Sequence, residues 1–190
     1  MKVKKIIDVC KKEGRLTLIS DPEGGGPQWI AAAGARYTLV GVPSVTLPSL
    51  CALYDLDPEA DISVEEIFGK PGLTGDEPLV MLPMWIETTS TVVPFKAPDG
   101  MVYLVREKYL APFAKDREVS CVLKQDGWQK PTLVFRAGLV EIAEIEPLIP
   151  DEEFVSTLEA ILSGVDDFLA DFERRTRKIP EPDYEEDVLR

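Results

Sequence analysis

The segment LVEIAEIEP contains three glutamates, whose carboxylates could support acid–base or metal chemistry. They are Glu141, Glu144 and Glu146, and the period of a strand places Glu144 and Glu146 on one face. Paired carboxylates can transfer protons or hold a divalent cation, so one hypothesis is a carboxylate-based hydrolase or metal site, which Asp99 or Asp126 could complete. No other motif lies near these acids. The pattern therefore favours the alternative interpretation, in which they are solvated on the outer face of a strand.

The stretch SDPEGGGPQWIAAAG contains three consecutive glycines, which could form a phosphate-binding loop or a bend. A phosphate-binding glycine loop opens onto a helix, because free N–H groups at the helix N-terminus bind the anion. Here the glycines lead into Gln28-Trp29-Ile30, which is typical of a strand. The sequence therefore predicts a hairpin connection rather than a phosphate site.

The chain contains no histidine, which excludes the nucleophile triads and the zinc motif that depend on imidazole. Its cysteines, Cys10, Cys51 and Cys121, form no CxxC pair and are expected to be small buried hydrophobes. The tryptophans are expected to pack in the core or in hairpins, with Trp128 a contact candidate if it is exposed. We therefore expect no enzyme activity, no catalytic residue, no cofactor and no metal.

The formal net charge of −13 argues against generic binding of nucleic acid or anionic membrane by the whole surface. No stretch approaches the roughly 18–20 apolar residues of a membrane span, and lysines interrupt the N-terminus where a signal peptide would be apolar. These features predict a soluble, cytoplasmic protein. A chain of this length suits one domain with an appendage.

Positive charge is concentrated in two short segments. Residues 1–15 carry a net +4 and residues 106–117 a net +2, which leaves −19 for the rest of the chain. Two basic helices on an acidic protein suggest one positive face, and its candidate nucleic-acid contacts are Lys4, Lys5, Lys11, Lys12, Lys108 and Lys115. The alternative is that these lysines only solvate two helices.

Apolar periodicity predicts an α+β fold with antiparallel sheets. A helix over 2–13 ends at Gly14, and three strands follow up to residue 41. The middle of the chain is less regular. Its features are a short helix in PSLCALYDL with Leu50, Leu53 and Tyr54 as its apolar face, a capping-box pattern in SVEEIFG that is typical of a helix start, and a linker at 69–78. Further strands are predicted in PLVMLPMWIE, TVVPFK, MVYLVR, REVSCVLK, PTLVFRA and LVEIAEIEP.

The longest predicted element is an amphipathic helix at the C-terminal end, over 151–178, which follows a domain at 1–150 and precedes an acidic flexible tail at 179–190. Its apolar stripe consists of Phe154, Leu158, Ile161, Leu162, Val165, Phe168, Leu169 and Phe172. This stripe could pack on the helix's own domain or pair with a partner helix in a homo-oligomer.

A repeat of pattern links residues 2–41 with residues 106–146, since each reads as a helix followed by three strands. With "KYLAPFAKDREVSCVL" followed by "LVEIAEIEPLIP", this pattern resembles one domain of the DNA sliding clamps. The resemblance implies a pseudo-duplicated domain with two basic helices on the DNA side and sheets outside. Clamps string two or three such domains on one chain, whereas this chain has length for one, so a ring would need several subunits.

A second resemblance covers nearly the whole chain. The segments "QWIAAAGARYTLVGVP", "LCALYDL", "DGMVYLVREKYLAPF" and "LVFRAGLVEIAEIEP" are similar to uncharacterised proteins of anaerobic gram-positive bacteria and their prophages or mobile elements. It implies a bacterial intracellular context and no particular catalysis. Together, these patterns predict a non-catalytic binding or accessory protein that acts by surface recognition of itself or another protein, with clamp-like DNA association and the carboxylate site as alternatives.

Overall fold

The elements of the fold come from a computed structural model that describes residues 2–21, 25–57, 62–68, 73–116, 118–125 and 130–176, with side chains through Asp167 in the last range. The helices are α1 (Val3–Glu13), α2 (Leu47–Tyr54), α3 (Glu107–Leu110) and α4 (Glu152–Thr176). The strands are β1 (Arg15–Ser20), β2 (Trp29–Ala31), β3 (Ala35–Thr38), β4 (Ser63–Phe68), β5 (Thr74–Met81), β6 (Ile86–Glu87), β7 (Thr91–Lys96), β8 (Val102–Arg106), β9 (Val119–Gln125), β10 (Pro131–Ala137) and β11 (Val140–Ile145). The chain divides into two compact units, Met1–Ile149 and Pro150–Arg190.

The strands form one large, mostly antiparallel sheet, so the predicted α+β class is confirmed. Their order is β4-β1-β2-β3-β11-β10-β9-β5-β7-β6, and β8 pairs with β7. Two meanders, β1-β2-β3 and β9-β10-β11, meet where β3 pairs with β11. The pairing of β1 with β4 is parallel, whereas the other pairings are antiparallel.

The core is one apolar cluster with residues from α1, from both meanders and from β5, β7 and β8. Ile6 and Cys10 of α1 are fully buried in the same apolar cluster as Leu16, Leu18 and Tyr37. Gly14 ends α1 at φ +67, a backbone conformation that glycine adopts without steric cost, and its N–H bonds back to the last helical turn. The predicted boundary between helix and strand is thus confirmed.

Three local predictions are wrong. SVEEIF forms strand β4 rather than a helix start, because it pairs with β1 and the N–H of Ser63 donates to the carbonyl of Gly14. Part of the predicted linker belongs to β5, which begins at Thr74, while residues 69–72 lie outside the described part of the chain. On α2, Leu53 is 71% exposed rather than part of the apolar face.

The long helix α4 belongs to the second unit. The carboxylate of Asp151 accepts a hydrogen bond from the N–H of Phe154, 2.8 Å away, as expected for a capping residue. Of the predicted stripe, Leu158 is buried, Phe154 and Leu162 are half-buried, and Ile161 and Val165 are exposed. The side chains of Phe168, Leu169 and Phe172, and the predicted tail at 179–190, lie outside the described residues. Within those residues, every helix is too short or too polar to cross a membrane.

Candidate binding surface on α1

The two basic segments lie side by side on one surface of the first unit. The N–H of Lys2 donates to the carbonyl of Pro112 (3.0 Å), and the amine of Lys5 donates to the carbonyl of Ala111 (3.0 Å). At the other end of α1, Glu13 forms an ion pair with Lys108. Both ends of α1 are therefore joined to the segment that contains α3.

Three of the six candidate lysines are engaged within the protein. Lys5 and Lys108 hold α1 to the α3 segment, and the amine of Lys11 donates to the carbonyl of Tyr54, 3.2 Å away. Lys4, Lys11, Lys12 and Lys115 are exposed. Helical spacing places positions 4, 11 and 12 on the outward side of α1. We call Lys4, Lys11, Lys12 and Lys115 the lysine face.

Two buried tyrosines, Tyr37 and Tyr109, restrain the segment that contains α3. The hydroxyl of Tyr37, which is fully buried in β3, donates to the carbonyl of Tyr109 at 3.0 Å. Arg106 donates to the hydroxyl of Tyr109 at 3.3 Å, and Gly34 lies so close that a Cβ there would be 3.1 Å from the same hydroxyl. Burial raises the pKa of both phenols, although the bond from Arg106 opposes the rise at Tyr109. These tyrosines therefore stay neutral and act as structural supports.

The structure brings together only two of the three acids proposed from the sequence: Glu144 and Glu146 line one depression, and Glu141 lies outside it. Glu144 is only 4% exposed, so the interpretation of a solvated acid is wrong for this residue, and its carboxylate pairs with Arg36 at 2.7 Å. Glu141 pairs with Lys124 and with Arg136 (3.2 Å). Cross-strand cations neutralise both acids because the register of the sheet places them together.

The further acids considered for that site lie elsewhere. The carboxylate of Asp99 accepts a hydrogen bond from the N–H of Met101, 2.8 Å away, in the turn between β7 and β8, and Asp126 lies outside the described residues. In the part of the chain that the structure describes, no group of three histidine, cysteine or acidic side chains could hold a metal ion.

A depression of about 380 Å³ is lined by residues from β1, β3, β4 and β11. Its charged residues include the Arg36–Glu144 pair, the Arg15–Glu65 pair at 3.3 Å, and the exposed residues Lys130 and Glu146. Cations and carboxylates are equal in number here. The depression therefore has no excess charge with which to select an ionic ligand.

The cysteines are structural, as expected for two of the three. Cys10 and Cys121 are buried, whereas Cys51 is half-buried. Burial raises the pKa of Cys10 to about 12 and raises that of Cys121 further, so neither is a thiolate nucleophile at neutral pH. Trp29 is half-buried and Trp85 is 60% exposed, contrary to the expectation of core packing for Trp85, and Trp128 lies outside the described residues.

Sequence reasoning missed the pairs that organise these surfaces. The Arg36–Glu144 and Lys108–Glu13 pairs join residues more than 90 positions apart, and only the register of β3 with β11 or the docking of α1 brings them together. The opposite charges of basic and acidic segments gave a general signal but no pairing.

Comparison of the chain with protein-family models, with curated proteins and with solved structures finds no match.

Proposed function

We propose that this protein is a non-catalytic binding protein of the bacterial cytoplasm that recognises an acidic macromolecular surface through the lysine face. The observation that carries this proposal is the joining of α1 to the α3 segment at both ends, which gathers the two basic segments on one surface. The rest of the chain carries −19, so this surface is a local exception. A positive patch on an acidic protein attracts and orients an acidic partner, whereas the rest of the acidic surface repels one.

The lysines that are engaged internally make this surface rigid. Lys5 and Lys108 hold α1 in place, and the exposed lysines therefore project from a fixed backbone. Binding to such a surface costs less conformational entropy than binding to a flexible segment, because no segment of this protein must first become ordered. We further propose that binding is accompanied by self-association, for which the stripe of α4 remains a candidate.

Duplex DNA is the second candidate partner, in a clamp-like arrangement. The supporting observation is the strand order, in which two meanders meet at β3 and β11 and a helix precedes each meander. The two helices differ, since α1 has 11 residues and α3 has 4. DNA contact would therefore rest mainly on α1.

The test compares two double variants that change the net charge equally. Lys4→Gln/Lys12→Gln removes two charges from the lysine face, and Lys96→Gln/Lys130→Gln removes two charges outside both basic segments. We expect a fluorescent polyglutamate peptide to bind the wild-type chain and to lose about tenfold in affinity only with the first variant. Equal losses in both variants, or no binding by the wild type, would contradict the proposal.

The same variants separate the two partners when the probe is a fluorescent DNA duplex. If DNA is the partner, log affinity falls with log salt concentration, and this slope becomes shallower by about 0.9 for each phosphate that a variant no longer neutralises. Lys4→Gln/Lys12→Gln should then make the slope shallower by the equivalent of about two phosphates. The DNA candidate is rejected if DNA binding does not depend on salt. It is also rejected if the chain binds polyglutamate but not DNA.

A further inference from the structure

A small depression lies where β8 ends beside the segment that follows β11. It has a volume of about 200 Å³, and Arg106, Tyr109 and Glu146 supply its charged and hydroxyl groups. The rest of its lining consists of Ala33, Gly34, Pro147 and Leu148. Sites for drug-sized ligands have volumes of about 300–1,000 Å³, so this depression suits a smaller molecule. All of its lining residues belong to the first unit.

Backbone hydrogen bonds fix the two sides of this depression. Leu148 exchanges two hydrogen bonds with Leu104, at 2.8 and 2.9 Å, and these bonds hold the segment after β11 against β8. The N–H of Glu146 donates to the carbonyl of Gly34, 2.9 Å away, in the turn between β2 and β3. The backbone that carries Arg106, the last residue of β8, and the backbone that carries Glu146 are therefore held in place.

The two charged side chains of this depression are not paired with each other. Within the described residues, Arg106 donates to the hydroxyl of Tyr109 at 3.3 Å, and neither Arg106 nor Glu146 forms an ion pair. In the larger depression, by contrast, Arg36 is already paired with Glu144. A paired charge offers little to a ligand, whereas an unpaired cation and an unpaired carboxylate can each bind a ligand group of opposite charge.

The hydroxyl of Tyr109 adds a neutral donor beside the guanidinium of Arg106. Burial raises the pKa of Tyr109, so the phenol keeps its proton. Its oxygen accepts the bond from Arg106, and in the described part of the chain no acceptor takes its proton. Gly34 lies against this hydroxyl, since a Cβ at Gly34 would be 3.1 Å from it. A guanidinium and a phenol placed side by side can donate together to one carboxylate.

We propose that this depression binds a free α-amino acid, with the carboxylate on Arg106 and Tyr109 and the ammonium group on Glu146. Both charges of an α-amino acid are attached to one carbon, which matches two opposite, unpaired charges in a small depression. A peptide separates its terminal charges along its chain, and a simple carboxylate or amine occupies only one side. Selection here depends on the separation of the charges and not on their sum.

The amino-acid side chain has space beyond this depression. Ala33, Gly34 and Glu146 also line the larger depression along β1, β3, β4 and β11, so the two depressions adjoin. None of the three residues that bind the charged groups belongs to the lysine face. The inference therefore does not depend on the function proposed for that face.

Isothermal titration calorimetry of the full-length chain tests the proposal with L-alanine, L-leucine and L-glutamine as probes. We expect at least one of them to bind with a dissociation constant of about 1 mM or lower. Analogues that lack the ammonium group or the carboxylate, which for alanine are propionate and alaninamide, should bind at least about tenfold more weakly, because each loses one charge-assisted contact.

Two matched pairs of variants locate the bound amino acid. Arg106→Gln should weaken binding at least about tenfold, whereas Lys115→Gln, which removes the same charge from an exposed position of the same segment, should leave it unchanged. Tyr109→Phe should weaken binding by about tenfold, and Tyr103→Phe, at a buried tyrosine outside the depression, should not. Circular dichroism verifies that the variants are folded.

Three results overturn the proposal. The first is that none of the three amino acids binds the wild-type chain with a dissociation constant of about 1 mM or lower. The second is that the analogues with a single charge bind as tightly as the amino acid itself. The third is that Arg106→Gln acts like Lys115→Gln, or Tyr109→Phe like Tyr103→Phe.

Discussion

The hydroxyl of Tyr37 shows how one buried polar group can fix the position of a surface. It is carried by β3 at the centre of the sheet, and its bond to the carbonyl of Tyr109 reaches the segment that supports α1. In the interior, a carbonyl that loses its donor keeps the full cost of having left water. Tyr37 therefore restrains the α3 segment in a way that apolar packing, which has no direction, would not.

Removal of this hydroxyl gives the first prediction at the scale of residues. Tyr37→Phe should lower the free energy of unfolding by about 1–3 kcal/mol, because the carbonyl of Tyr109 is left without its donor. Urea denaturation monitored by circular dichroism measures the change. Tyr103→Phe, at a tyrosine of β8 that is 7% exposed, is the matched control and should cost less. Equal costs would show that the bond to Tyr109 contributes nothing particular.

The buried thiols and the buried phenol give a second prediction, which concerns stability at alkaline pH. Cys10 has its pKa raised by burial from 9.0 to about 12, and Cys121 and Tyr37 shift in the same direction. Above pH 9 the unfolded chain releases the Cys10 proton while the folded chain keeps it. The unfolded state then binds fewer protons, so the free energy of unfolding falls as pH rises from 9 to about 12, by up to about 1.4 kcal/mol per pH unit for this group. Urea denaturation across this range should show a shallower fall for Cys10→Ala than for the wild type.

At the scale of elements, two kinds of interaction position α1. Its apolar face is buried in the core, and a small number of polar contacts, including the Lys108–Glu13 pair, join it to the α3 segment. The Lys108–Glu13 pair is partly shielded, with side-chain exposures of 32% and 11%. The Arg15–Glu65 pair offers an internal comparison, because its exposures are 54% and 44%. Shielded ion pairs are screened less by water and salt than exposed ones.

A pair of double-mutant cycles tests this difference. The cycle of Glu13→Gln with Lys108→Gln should give a coupling energy of about 1 kcal/mol, and the cycle of Arg15→Gln with Glu65→Gln a coupling near zero. The measurement is the free energy of unfolding at low and at high salt. Equal couplings in the two cycles would mean that the pair does not hold α1 to α3.

The elements that were predictable from the sequence are those with strong local signals. The helical spacing of α1 with Gly14 at its end, and the alternation of REVSCVLK, predicted the type of each element and its bounds to within about two residues. The segment SVEEIF was not predictable, because its local pattern suits a helix start and only the hydrogen bonds of β1 make it a strand. The intrinsic preference of a short segment is weaker than a row of sheet hydrogen bonds. Those bonds join segments that are far apart in the sequence, so the local pattern does not reveal them.

The candidate surfaces divide in the same way. The lysines of α1 were predictable because a helix displays its own charge pattern. That Lys5 and Lys108 are engaged internally was not predictable, since their partners Ala111 and Glu13 lie on other elements.

At the scale of the whole molecule, the main apolar cluster of the described residues lies within the first unit. Every member of the main apolar cluster lies between Val3 and Ile145. After β11 the backbone of Leu148 exchanges two hydrogen bonds with Leu104 of β8, at 2.8 and 2.9 Å, and the first unit ends at Ile149. The first unit therefore contains what a cooperative fold requires.

A fragment of residues 1–149 should accordingly fold alone, with a cooperative thermal transition within about 5 °C of that of the full chain. A fragment that ends at Ala143 is the control, since it lacks Ile145 of the core and the pairing of Leu148 with Leu104, and it should show no such transition. Sedimentation of the longer fragment then locates self-association. If residues 1–149 dimerise as the full chain does, the contact lies in the first unit. If only the full chain dimerises, the contact depends on residues 150–190, as pairing through the stripe of α4 requires.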